Sequence, residues 1–298
     1  MHALDNISLD VASGESIGIV GETGSGKSTL GKAVLEILPP RSEVEGQVVF
    51  LGRELGHLDH ERVRHIRGEK IALIFQDPMT RLNPLMTIED HFVEAITAHQ
   101  RVSRREALAR AKDALTSMRV SESRIRNYPH EFSGGMRQRI MIALALVLNP
   151  SLLVADEPTT SLDVIVEAQI LEILEDLKRA YKMSLLLITH NLGIVAEVCD
   201  RVAVFYAGKI VEIGSVDDIF NRPIHPYTRL LLQSIIHLDT KELHSIEGVP
   251  PDLVSPPSGC RFHPRCPYAQ AVCREKIPPL EEFRQGQRAA CLFGKDFL

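Results

Sequence analysis

Apolar and polar positions alternate from Ala3 to Val11, with Leu4, Ile7, Leu9 and Val11 set among Asp5, Asn6, Ser8 and Asp10. That period of two predicts a strand with one wet face. Ala12-Ser13-Gly14-Glu15 then turns the chain into the apolar run Ile17-Gly18-Ile19-Val20, a second strand. Strand-like Gln47 to Phe50, a polar helix around Leu58 to Arg67 and a buried-looking strand from Ile71 to Phe75 follow, the last ended by Gln76-Asp77-Pro78. From Thr87 to about Arg119 charged and apolar residues recur at three- and four-residue spacing, which predicts a helical insertion. A helix is expected over Met136 to Leu148, broken by Asn149-Pro150, and a buried strand over Leu152 to Ala155 leads into Asp156-Glu157-Pro158. A helix from about Val164 to Tyr181, a strand Ser184 to Ile188 ending at Thr189-His190, and a helix to Cys199 complete the alternation. Strand, helix, strand in that order implies right-handed crossovers and a parallel sheet. Val202 to Tyr206 and Lys209 to Ile213, joined by Ala207-Gly208, read as a hairpin.

The texture changes beyond Asn221. Prolines multiply and periodicity fades, with one helix expected at about Tyr227 to His237. We therefore expect a first domain over residues 1–221, carrying a helical subdomain at about 87–148, and an irregular extension over 222–298. A loop-rich segment of that length needs a staple to hold it.

Size and composition narrow the class. The chain has 298 residues, 44% of them hydrophobic, enough for an α/β domain plus a smaller appendage. The longest apolar run, Ile140 to Leu148, is half the length that crosses a bilayer, and no signal peptide opens the chain. Any membrane role then requires partners that span. A formal net charge of −5 gives no general attraction to nucleic acid, and none is expected as a partner.

The chemistry is concentrated in one stretch. Gly21-Glu22-Thr23-Gly24-Ser25-Gly26-Lys27-Ser28-Thr29 follows a strand and opens a helix, which is the pattern of a phosphate-binding loop. Glycines let backbone N–H groups converge on phosphate, Lys27 adds a point charge, and Ser28 offers a hydroxyl to Mg²⁺. Asp156 and Glu157 stand at the end of a buried strand, where Asp156 suits Mg²⁺ and Glu157 suits activation of the water that attacks a γ-phosphate. Gln76 and His190 also sit at strand ends. Ser133-Gly134-Gly135 opens a helix beside two glycines and a hydroxyl, a second anion site.

As a set these residues resemble the ATP-binding cassette (ABC) family. Phe132-Ser133-Gly134-Gly135-Met136-Arg137-Gln138-Arg139 is similar to its signature motif, and the match runs from about Ala3 to Gly214. The resemblance implies a P-loop NTPase cassette: a RecA-like parallel sheet core with an antiparallel β portion and a helical subdomain. It implies ATP and Mg²⁺ at the loop from Gly21 to Thr29 with Gln76 and Asp156, catalysis by Glu157 with His190 and Gln76, and a loop Ser161-Leu162-Asp163. Two cassettes would close head to tail, so that Ser133, Gly134, Gly135 and Met136 complete the partner's ATP site. Met136 stands where many signatures have Gln. Only His2 precedes the match, so the aromatic adenine platform of the family is left unassigned.

A closer resemblance is carried by Phe75-Gln76-Asp77-Pro78-Met79-Thr80, Leu82-Asn83-Pro84, Tyr128-Pro129-His130-Glu131, Ile224-His225-Pro226-Tyr227-Thr228 and the segment Pro256 to Pro267. These are similar to the oligopeptide/dipeptide/nickel subfamily of ABC importers. The resemblance implies an ATPase subunit at the cytoplasmic face of the membrane. Its partners would be two transmembrane permease subunits, a second ABC ATPase that is a paralogue or a copy, and an extracytoplasmic substrate-binding protein. Peptide uptake is the expected task, with nickel or another small solute open as cargo. A soluble ABC ATPase that remodels nucleic acid or ribosomes is the rival reading; the paired cassettes, coiled-coil insertion or basic arms common in such proteins are not visible.

Cys260, Cys266, Cys273 and Cys291 crowd the extension with spacing Cys-x5-Cys-x6-Cys-x17-Cys. Wide, irregular spacing suits an iron–sulphur cluster better than zinc, whose sites show closer pairs, while unmetallated thiols or a disulfide stay open. The subfamily resemblance favours a four-cysteine [4Fe-4S] site. Cys199 lies on an apolar helix face and is expected in the core.

Overall fold

The computed structural model describes residues 2–56, 60–76, 81–160, 162–234 and 245–298. Asp77 to Thr80, Ser161, the start of the helix expected from Leu58 and the end of the one expected to reach His237 lie outside the described residues. The chain divides into two compact units. One comprises Met1–Val11, Glu15–Leu30 and Leu187–Leu298; the other comprises Ala12–Gly14 and Gly31–Leu186.

In the first unit β1 (Ser16–Val20) is buried at every residue, and α1 (Lys27–Val34) begins just beyond the glycine-rich loop. The second unit opens with the small antiparallel pair β2 (Val49–Phe50) and β3 (Arg53–Glu54). There α2 (His60–Glu69) breaks its helical torsions at Arg67 and Gly68 and feeds β4 (Ile71–Ile74). The expected insertion is an α-hairpin: α3 (Ile88–Thr97) buries Ile88, Phe92 and Ile96, and α4 (Arg104–Ser117) buries Ala107, Ala111 and Leu115. Both stripes have i, i+4, i+8 spacing, one helix face each. Thr87 and Ser103 cap these helices by accepting the N–H of Asp90 and Glu106. Helix α5 (Gly134–Leu146) packs on α4 and β4, and β5 (Leu152–Asp156) pairs in parallel with β4, Ile71 opposite Leu152 through Ile74 opposite Ala155. Then come α6 (Val164–Tyr181) and β6 (Ser184–Ile188), which neighbours β5.

The chain returns to the first unit with α7 (Leu192–Val198), β7 (Arg201–Tyr206) and β8 (Lys209–Ser215). β1 pairs in parallel with β7, and the face of β1 is covered by α7. That packing is why residue 18 is glycine: a Cβ there would lie 2.5 Å from Val195 Cγ1 and 3.2 Å from Cys199 Sγ. Cys199 is a buried core residue, as its helix face implied. The hairpin of β7 and β8 turns through Ala207 and Gly208, both at positive φ (47° and 80°), the torsions of a tight two-residue turn. Next are α8 (Val216–Asn221) and α9 (Pro226–Gln233), then β9 (Glu281–Arg284) and β10 (Gln287–Ala289).

Two findings differ from the sequence pattern. No strand forms over Ala3 to Val11, although burial does alternate from Asn6 to Val11. Asn6 sits at φ 52°, and the N–H groups of His2 and Asp5 go singly to the carbonyls of Leu253 and Gly208 instead of into a ladder. The antiparallel portion is instead built by β7, β8, β10 and β9 in that order, so the extension contributes two strands of its own. Their sequence, Glu-Glu-Phe-Arg and Gln-Arg-Ala, has no apolar alternation to betray them. Among the described residues no helix is long and apolar enough to cross a membrane.

Candidate active site

The loop from Gly21 to Ser28 is shaped by close approach. Gly21 has φ 143°, and a Cβ on it would lie 2.1 Å from the Phe205 carbonyl oxygen; Gly26 has φ 103°, with a Cβ 2.4 Å from the Ala3 carbonyl oxygen. No other residue fits either place. Lys27, only 6% exposed, donates from Nζ to the carbonyls of Gly21 and Glu22 at 2.7 and 2.9 Å, so the loop closes round its ammonium. Ser25 accepts the N–H of Gly208 on its carbonyl at 2.8 Å. His190 is exposed at the end of β6, and the preceding Thr189 donates its N–H to Ile19 at 3.1 Å, which sets the His190 segment beside the strand that feeds the loop.

In the second unit the parallel pairing of β4 and β5 places Gln76 and Asp156-Glu157 at neighbouring strand ends. Gln76 Nε2 donates to Glu157 Oε2 at 3.3 Å, and Thr160 Oγ1 donates to the same oxygen at 2.6 Å. Asp156 is buried. Glu157 is held at φ 49°, a conformation that costs a non-glycine residue about 1–3 kcal/mol and is concentrated at functional sites. Two donors thus orient one oxygen of the Glu157 carboxylate.

The start of α5 is local in construction. Ser133 Oγ accepts the Met136 N–H at 3.4 Å, while Ser133 and Gly134 are exposed. Gln138, buried one turn on, donates to the Pro158 carbonyl at 2.5 Å and so ties the Ser133 helix to the Glu157 segment. Asp163 caps α6 by accepting the Val166 N–H at 2.9 Å, and the next two residues, Val164 and Ile165, are 81% and 71% exposed.

The extension brings Cys260, Cys266, Cys273 and Cys291 around one cavity, walled by His225, Phe262, Leu292, Phe293 and Phe297. All four are thiols rather than disulfides. Burial, with the neighbouring cysteines adding, pushes Cys260 and Cys291 up to about 11, and burial also raises Cys266. Among the described residues the trio of ligand atoms within 4.8 Å of one another belongs to His65, Glu69 and His99, so the cysteine sulfurs are more widely set. Two further residues of the extension reach the loop: Arg265 binds the Glu22 carboxylate with both terminal nitrogens, and the Tyr227 hydroxyl accepts the Glu22 N–H.

Comparison with known proteins fits this geometry. The ABC transporter family model matches residues 4–160, and the model of the oligopeptide/dipeptide transporter C-terminal region matches residues 211–273. The chain belongs to the ABC transporter family. As an ABC protein it is an ATPase with the cassette fold. It is 50% identical to a probable peptide ABC transporter ATP-binding protein of Sinorhizobium fredii, the match covering 97% of this chain and 89% of that one. It is 44% identical to an oligopeptide transport ATP-binding protein of Salmonella typhimurium (97% and 87% covered) and 47% identical to a dipeptide transport ATP-binding protein of Bacillus subtilis (93% and 85% covered). Among solved structures, a dimeric ATP-binding cassette in a post-hydrolysis state with ADP and phosphate superposes with a TM-score of 0.65 at 29% identity, over 72% of this chain and 90% of that one.

Of the residues singled out in the sequence of this ABC ATPase, the first unit holds the glycine-rich loop and His190, and the second holds Gln76, Asp156, Glu157, Ser133 to Met136 and Asp163. The sequence motifs include Gln138 and Tyr227 and span Arg265, but the contacts these three make were not foreseen. Arg265 had a usable signal, a basic side chain inside Cys-x5-Cys, but its partner lies 243 positions away.

Proposed function

We propose that this ABC ATPase energises uptake of oligopeptides or dipeptides, with membrane-spanning subunits carrying the cargo. The observation that carries the reading is the union, in one chain, of an ABC transporter match over 4–160 and an oligopeptide/dipeptide C-terminal match over 211–273. Two permease subunits, a second cassette and an extracytoplasmic binding protein would be its partners, and the cytoplasmic face of the membrane its place of work. In this reading residues 1–221 act as the motor and 222–298 as the extension.

The geometry supports the following roles. The loop from Gly21 to Thr29 binds the ATP phosphates, with the Lys27 ammonium moving from the Gly21 and Glu22 carbonyls to the outer phosphates. Ser28 offers a hydroxyl, Asp156 a carboxylate and Gln76 an amide oxygen, the donor types that suit Mg²⁺, which when bound offsets negative charge on the phosphates. Glu157, oriented by Gln76 and Thr160, takes the proton of the attacking water, and His190 supports the γ-phosphate. Ser133, Gly134, Gly135 and Met136 act on the ATP of the opposite cassette. Exposure of Ser133 and Gly134, and of Val164 and Ile165 beside Asp163, supports a facing partner there.

Cys260, Cys266, Cys273 and Cys291 would hold a [4Fe-4S] cluster. Four thiols round one apolar cavity supply the four thiolate ligands that such a group takes. The cluster would supply a staple for the extension and a one-electron redox centre.

Tagging the chain in its native host, solubilising membranes gently and identifying copurifying proteins by mass spectrometry tests the reading. Two multi-span permease subunits are expected. Recovery with ribosomal or DNA-bound proteins from the soluble fraction would overturn it.

A further inference from the structure

The segment from Cys260 to Cys266 has two faces. Its cysteines line the cavity, Arg261 and Arg265 reach the nucleotide loop and its supports, and Phe262 lies between, lining the cavity and packing on Tyr206 and Tyr227. Arg265 donates to Glu22 Oε2 at 2.7 Å and to Oε1 at 2.9 Å, a bidentate charge-assisted pair, and its side chain is 5% exposed. The same guanidinium donates to the Tyr206 hydroxyl at 3.3 Å and to the carbonyls of Glu247 and Ile246 at 2.9 and 3.2 Å. From the other side the Tyr227 hydroxyl accepts the Glu22 N–H at 3.0 Å. Phe262, fully buried, packs edge-on against both tyrosines, with ring centroids 5.1 Å from Tyr206 and 5.3 Å from Tyr227. Arg261 binds Asp5 and the Ala207 carbonyl, and the next residue of that turn, Gly208, donates to Ser25 in the loop.

Glu22 is an awkward residue for a loop that must receive several negative charges. A carboxylate one position past Gly21 repels phosphate unless it is neutralised and turned aside, and a unit charge a few ångströms away matters by kilocalories where water is scarce. Arg265 does both. A contact that merely docked the extension would not commit the backbone and the side chain of the same loop residue.

We propose that Arg265 and Tyr227 are positioning residues for the nucleotide loop, and that a thiolate-bound metal group in the cysteine-lined cavity sets ATP affinity through the Cys260 to Cys266 segment. Cys266 is the residue after Arg265 and caps the short turn His263–Arg265. Loss of its ligation would release that turn, and with it the grip on Glu22. The inference rests on the proposed ATP site.

The test uses the purified full chain and the fluorescence of trinitrophenyl-ATP, with thermal melting alongside. Arg265→Met should weaken nucleotide binding about tenfold, roughly the worth of one charge-assisted bond pair. In a Glu22→Gln background, where no carboxylate needs holding, the same substitution should change affinity by no more than about twofold, since coupling between the two is the whole effect. Cys266→Ser should weaken binding in the native background and not in Glu22→Gln. The proposal is overturned if Arg265→Met binds as the parent does, if it loses equally in both backgrounds, or if Cys266→Ser leaves affinity unchanged. Should Arg265→Met melt too low to assay, recovery of melting and affinity in the double variant supports the pairing, and a double variant that stays unfolded overturns it. A parent chain that fails to bind the nucleotide, or Lys27→Ala binding as tightly as the parent, would instead sink the ATP site itself.

Discussion

Two helix starts in this ABC ATPase carry the same kind of signal, glycines beside a hydroxyl, and the chain treats them in opposite ways. At Gly21 to Ser28 the backbone is pressed by Phe205 and Ala3, closed round a buried Lys27 and held by Tyr227, Gly208 and Arg265, residues far away in sequence. At Ser133 to Met136 the capping bond from Met136 N–H to Ser133 is local, and Ser133 and Gly134 are exposed. The first loop is shaped and held by contacts within one chain. The second is exposed, as the proposed facing cassette would require. In the proposed reading both helix N-termini meet an anion; what differs is which chain's loop holds it.

Glu157→Gln separates the two sites most sharply. Glutamine keeps an acceptor for Gln76 and Thr160 but cannot take a proton, so turnover should fall about a thousandfold, within the range of a lost general base, while ATP still binds. With ATP unspent, chains should accumulate as pairs in size-exclusion chromatography. A variant that hydrolyses normally removes Glu157 as the base, and one that binds ATP yet stays monomeric breaks the idea that the Ser133 face waits for a second cassette.

Lys27→Ala attacks the first site. It removes the ammonium that closes the loop, and ATP affinity should fall about a hundredfold, close to 2.7 kcal/mol. Equilibrium binding to the isolated chain reads this directly. Ser133→Ala attacks the second site: affinity of the isolated chain should stay within about twofold, while turnover of the assembled transporter drops about tenfold for one lost hydroxyl donor. Equal effects of Lys27→Ala and Ser133→Ala on monomer affinity would erase the distinction.

The same contrast explains what could be read from the sequence. The glycine-rich loop, Gln76, Asp156-Glu157 and the alternation of strands and helices were legible because each signal is local: a spacing, a run, a cap. The apolar stripes of α3 and α4 were legible for the same reason. Ala3 to Val11 misled because its period of two reports alternate burial, which the structure has, and not strand pairing, which it lacks. β9 and β10 were invisible because the paired residues are mostly polar, and Gln287 is buried by hydrogen bonds to Glu212 and Arg222 rather than by hydrophobicity. The grip of Arg265 on Glu22 has no local trace at all, since its meaning appears only when the extension folds back.

Gly134→Ala gives the smallest effect and divides the two sites most finely. A Cβ on Gly134 would meet nothing within 4 Å, whereas one on Gly21 would strike the Phe205 carbonyl. Folding therefore has no need of glycine at 134, and alanine, the better helix former, should raise stability by about 0.5–1 kcal/mol. A rise in melting temperature together with reduced turnover would show that residue 134 is small for the approach of a partner's nucleotide. A rise with turnover intact would mean that the exposed start of α5 keeps its glycine for no catalytic reason, and the reading of a presented anion site would then rest on Ser133 alone.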